Sequence, residues 1–204
     1  MANNKIHEIH ASADSVPYWN ERHVTRNALA LRSLEIADAV VLNEADLTKL
    51  RDVDMLQERD LSSVTKPIYL QFDGKKSEGR FIIGLLMSLS ETDERVTVVP
   101  YSNNNDEGKM WPYDVYFEIT KVCEKEATVT THPFHPAALQ DKMDEEAKAH
   151  FTALSGIALS FLTLLGTGAL AIGPEREDMS KLNKRRGKDG KPPVKADCQI
   201  VWNN

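Results

Sequence analysis

The chain has 204 residues, 41% hydrophobic and 27% charged, with a formal net charge of −6. That profile excludes a disordered, charge-rich polymer, leaves enough apolar side chain for a sizeable core, and makes one domain the default at this length. The acidic balance excludes a protein whose whole surface coats DNA, and two cysteines, Cys123 and Cys198, are too few for a disulfide framework, which fits a reducing compartment.

The first residues, Met1 to His7, lack the apolar stretch of a secretory signal, so cytoplasmic residence is expected. From Asn27 to Leu42 the apolar residues Ala28, Leu29, Leu31, Leu34, Ile36, Ala37, Val40 and Val41 recur at steps near three and four, which predicts a helix with one buried face. Asn43-Glu44-Ala45-Asp46 offers side-chain oxygens to the free amides of a new helix, so one or two short helices are expected over residues 46 to 60. After Lys66-Pro67, the run Ile68-Tyr69-Leu70-Gln71-Phe72 predicts a strand, then a tight turn at Asp73-Gly74 and a return through Arg80 to Leu86. Further strands are expected over Arg95–Tyr101 and Tyr113–Val122, with Ser102–Gly108 as an exposed hairpin loop and Ala127–Thr131 as a last strand before Pro133.

A long helix is expected over residues 136 to 172, polar at first and then without a full charge between His150 and Glu175. Residues 153 to 172 match the length of a membrane span, but Gly166-Thr167-Gly168 favours a helix end near Leu165, which leaves it too short. A buried central helix is the preferred reading and a membrane anchor at 153–172 the alternative. The predicted fold is α+β: a helical region 1–62, an antiparallel sheet of about five strands over 63–132, the long apolar helix, and a basic strap with a terminal strand over 175–204, all in one domain 1–204.

From Lys181 to Lys195 seven basic residues, Lys181, Lys184, Arg185, Arg186, Lys188, Lys191 and Lys195, stand against one acid, Asp189; this segment carries +6 and leaves −12 for the rest of a chain whose total is −6. Gly187, Gly190 and Pro192-Pro193 predict an extended strap, tethered beyond by Cys198–Trp202 as an edge strand. Clustered cations neutralise phosphates and release counterions, so the strap is the candidate binding site; docking on the protein's own acidic body and contact with lipid headgroups fit the same residues. Gly187-Lys188-Asp189-Gly190-Lys191 lacks the glycine spacing and the hydroxyl of a phosphate-binding P-loop.

The run Lys181-Leu182-Asn183-Lys184-Arg185-Arg186-Gly187-Lys188-Asp189-Gly190-Lys191-Pro192-Pro193, followed by Ile200-Val201-Trp202, resembles a module of small proteins encoded by tailed bacteriophages and prophages. Lys66 to Asp73 and Phe81-Ile82-Ile83-Gly84 look like the first hairpin of the same proteins. The resemblance covers about a third of the chain. It implies a phage origin and an accessory or host-directed role inside a bacterial cell, and it brings no catalytic residues.

Other chemistry is thinner. His7 with His10 and His132 with His135 are each three apart, but no third metal ligand stands beside either pair, so no metal and no cofactor is expected. No serine sits in a nucleophile elbow, and Cys123 beside Glu124 and Cys198 after Asp197 read as structural thiols. The acids from Asp141 to Glu146 read as a solvated helix face. Trp19, Trp111 and Tyr113 flank polar segments and fit either a partner patch or lids on the core. Asp93-Glu94 and Asp106-Glu107 mimic nucleic-acid phosphates in charge alone. The resulting expectation is a non-enzymatic accessory protein that binds a host or phage protein, or nucleic acid through 181–195; a homodimer is compatible with it, and an enzyme with a dispersed site is the remaining alternative.

Overall fold

A computed structural model describes residues 32–53, 64–76, 79–89, 95–104, 110–113, 115–123, 126–133, 145–175, 178–190 and 196–203, together with 9, 30 and 108. After helical residues 32–36 the chain runs through β1 (Asp38–Val41), α1 (Glu44–Arg51), β2 (Ile68–Lys76), β3 (Gly79–Leu89), β4 (Arg95–Ser102), β5 (Trp111–Pro112), β6 (Val115–Cys123), β7 (Glu126–Pro133), α2 (Glu145–Gly166), β8 (Leu170–Glu175), α3 (Ser180–Lys188) and β9 (Cys198–Trp202). The strands form one nine-stranded sheet in the order β7-β6-β4-β3-β2-β1-β9-β8, with β5 paired to β4 off this path.

The sheet corrects the expected antiparallel array of about five strands in both size and type. It is mixed, because β1 runs parallel to β2 on one side and to β9 on the other. Two of the additional strands were concealed by neighbouring patterns. Asp38-Ala39-Val40-Val41 continues the helical spacing of the preceding residues, yet the chain becomes a strand there because both flanks of β1 are paired and both its faces are covered. Leu170–Glu175 continues the apolar run of α2, but Gly168 at φ +73° turns the chain and β8 then pairs antiparallel with β9. The terminal strand forms as expected, but between β1 and β8 and not at an edge.

The β2–β3 hairpin runs longer than expected. Asp73 and Gly74 are not its turn; they pair with Ile82 and Phe81 inside the ladder, which continues to Lys76 and Gly79. The glycine serves packing here, since a Cβ on Gly74 would meet the Phe81 ring at 2.5 Å. After β4, Trp111 and Pro112 fold back on Ser102 and Tyr101; Ser102, expected in an exposed loop, is a buried residue of β4, and residues 105–107 of that loop lie outside the described residues.

Two cores flank the sheet. Alternation sends Ile68, Leu70 and Phe72 of β2, Leu85 of β3, Val98 of β4 and Phe117 of β6 to one face, where Leu154, Ile157, Ala158, Phe161 and Leu162 of α2 and Leu47 and Leu50 of α1 cover them. The other face carries Tyr69, Leu86, Val99, Tyr101 and Tyr116, packed with Ile9, Ala30 and Leu34. β3 is buried on both sides at Leu85 and Leu86, which explains its continuous apolar run.

α2 ends at Gly166, next to the end expected near Leu165; the outer boundary at residue 172 is corrected, and the stretch 153–172 is divided between a helix and a strand. The 22 residues of α2 are long and apolar enough to cross a membrane by length and composition, and its buried residues pack on the sheet. α1 begins two residues earlier than expected: Asn43 Oδ1 accepts from Asp46 N–H and Asp46 Oδ2 accepts from Asn43 N–H, a reciprocal cap. The other carboxylate oxygen of Asp46 accepts from Trp202 Nε1 at 2.9 Å, tying α1 to the last strand. Residues 54–63, and with them the rest of that helical expectation, lie outside the described residues.

Candidate functional site

The basic segment is a helix in its first half, which corrects the expectation of an extended strap. Lysine, leucine and arginine are good helix formers, and Gly187 lies in the last turn, where its cost is smallest. Asp178 opens the helix by accepting the backbone N–H of Ser180 at 2.9 Å, and this hydrogen bond to the charged form holds the Asp178 carboxyl below its ordinary range. Gly190 closes it at φ +66°. The helix sits in the connection between the paired strands β8 and β9, so both its ends are tethered to the sheet.

One side of α3 faces the protein. Met179 is buried, and Asn183 and Arg186, four and seven residues on, are half-buried and engaged. Lys181, Lys184, Arg185 and Lys188 are exposed and fall at i, i+3, i+4 and i+7, one stripe on the opposite side of the helix. Among the described residues none of the four enters an ion pair. Lys191 and Lys195 lie outside the described residues.

Helix stability accounts for part of this arrangement only. Cations in the last turn meet the negative end of the helix dipole at a gain of about 0.3–1 kcal/mol each, which rationalises Arg185, Arg186 and Lys188. Lys181 stands in the first turn, where the dipole disfavours it. Like charges three and four apart each cost a helix about 0.2–0.5 kcal/mol, and this face contains four such pairs, 181 with 184 and 185, and 188 with 184 and 185. A counter-charge at this face would relieve that repulsion.

The aromatic candidates separate. Trp19 lies outside the described residues, and Trp111 is half-buried on β5. Tyr113 packs edge-on against Phe151, and its Oη lies 3.0 Å from His150 Nε2, so it fastens the sheet to α2. Burial raises the Tyr113 hydroxyl above its ordinary value, with a hydrogen bond to Ser102 pulling the other way.

His132 stacks on Tyr116 with centroids 5.0 Å apart and lies 3.1 Å from Glu118, which Arg95 also reaches at 3.2 Å. That is a charge cluster across β4, β6 and β7. No group of three or more potential metal ligands occurs among the described residues, and His7, His10 and His135 lie outside them. Cys198 is a buried cysteine on β9.

A cleft that no local motif announces opens at the carboxyl ends of the parallel strands β1 and β2. It encloses about 460 Å³ between α1, α2 and the β2–β3 hairpin. Phe72, Phe81, Ile83, Leu154 and Ile157 supply its apolar wall, while Asn43, Glu44, Arg51, Asp73, Arg80 and His150 stand among its polar lining. A second hollow of about 390 Å³ lies at the opposite ends of the same strands, beside Asp38, Lys66, Gly168 and Asn203. Comparison with protein families, with curated proteins and with solved structures found no match to this chain.

Proposed function

We propose that this chain is a non-enzymatic accessory protein that contacts a nucleic acid through the exposed face of α3. The supporting observation is the stripe Lys181, Lys184, Arg185 and Lys188, set opposite the anchored side of a helix held at both ends, on a protein whose total charge is −6. An acidic body disfavours wrapping of the polyanion, so contact is local and made to the phosphate backbone, which carries no sequence information. The phage resemblance falls on the same residues and motivates a bacterial cytoplasm as the setting and a host or phage nucleic acid as the partner.

Affinity capture of the tagged full chain from a bacterial lysate tests this reading. Nucleic acid recovered at low salt, and lost on nuclease treatment or at high salt, is the expected outcome. Recovery of a protein partner that survives both treatments shifts the function to a host-protein contact and away from α3.

A further inference from the structure

The cleft at the ends of β1 and β2 has a chemistry of its own. At about 460 Å³ it lies within the range of small-molecule sites, roughly 300–1,000 Å³. Its place is also the one where open sheets with parallel strands bind ligands, outside the carboxyl ends of those strands. The apolar wall is built by side chains already committed to the core: Phe72, Ile83, Leu154 and Ile157 are buried by the sheet and α2. The cleft therefore keeps its shape without an occupant.

The polar lining selects the sign of a ligand. Asp73 faces Arg80 at 3.8 Å, and Glu44 is itself engaged in an interaction. His150 is bound to Tyr113. The amino end of α1 is closed to an anion, because Asn43 and Asp46 cap each other there. Arg51 is exposed at the cleft and enters no ion pair among the described residues. An apolar wall with one uncommitted cation beside it is complementary to a molecule with an apolar body and an anionic head.

We infer that the cleft binds an amphipathic carboxylate, its hydrocarbon body against Phe72, Phe81, Ile83, Leu154 and Ile157 and its head on Arg51. Titration calorimetry of the full chain with decanoate, kept below its micellar concentration, tests this, with decylammonium as the probe of opposite charge. Saturable binding of one decanoate per chain is expected, on the order of tenfold tighter than decylammonium. Arg51→Gln is expected to weaken decanoate on the order of tenfold and to leave decylammonium no weaker. Ala153→Phe fills the cleft from an exposed position on α2 and is expected to abolish binding of both while circular dichroism and Tm stay close to those of the parent. Absence of saturable decanoate binding, equal affinity for both probes, or binding that survives Ala153→Phe overturns the inference. The nucleic-acid contact of α3 uses none of these residues, so each reading fails on its own measurement.

Discussion

Tyr69 on β2 is fully buried, with its ring lying across the neighbouring strand at Gly84 and edge-on to Tyr101 at 6.5 Å. A Cβ on Gly84 would run into the Tyr69 hydroxyl and the ring carbons beside it, and a fully buried ring set edge-on to a second tyrosine has little room to swing aside. Two effects of Gly84→Ala oppose each other. Restricting the unfolded chain stabilises by about 0.4–1 kcal/mol, whereas overpacking a filled core costs about 1–3 kcal/mol. The clash is the larger, so Gly84→Ala is expected to lower the urea midpoint by an amount corresponding to a net loss of about 1–2 kcal/mol, with the m-value unchanged. A midpoint at or above that of the parent would show that the tyrosine layer is looser than described. A glycine in a strand pattern signals close packing, but its partner is set by strand register and was not legible at Gly84 or Gly74.

Among the elements, legibility followed periodicity. The strands β2, β3, β4, β6 and β7 were readable because aromatic and β-branched runs alternate or are bounded by turn residues. β1 and β8 were not, because four and six residues at the end of a helical apolar pattern carry no boundary that local spacing reveals. Composition marks the basic segment, but its helix is hidden in the sequence because Gly187 and Gly190 both read as breakers, whereas only Gly190 has the positive φ that ends it. The cleft was illegible for another reason: Asn43 and Arg51 at the ends of α1, Arg80 of β3 and His150 of α2 come from three separate stretches and meet only when the sheet forms.

The opening of α3 makes a pH prediction. The folded-state carboxyl of Asp178 lies below its ordinary value, so its contribution is fully present above the unfolded value near 3.9 and is lost as pH falls through the lower, folded one. Amide exchange at Asn183, whose N–H donates to Met179 C=O at 2.8 Å in the first turn, is expected to lose protection over that acid window. Asp178→Asn is expected to remove the pH dependence of that protection. Protection that falls equally in the variant would assign the effect to another group.

At the scale of the whole molecule the decisive property is the separation of charge. A segment carrying +6 interrupts a chain that is otherwise −12, and the fold arranges four of its cations on a solvent-facing stripe of α3, away from the side that anchors the helix. Repulsion from the body would confine a bound polyanion to the helix and falls off within a Debye length of about 8 Å at physiological salt. Binding that neutralises about four phosphates predicts a slope of log affinity against log salt near −3.6. The most direct test is the affinity of the full chain for a labelled duplex of arbitrary sequence across a salt series, beside a variant carrying Lys181→Gln, Lys184→Gln, Arg185→Gln and Lys188→Gln. A slope near the predicted value in the parent, nearly abolished in the variant and unchanged between duplex sequences, is the expected result. A slope close to zero in the parent, or an undiminished slope in the variant, would contradict a nucleic-acid role for the basic face of α3.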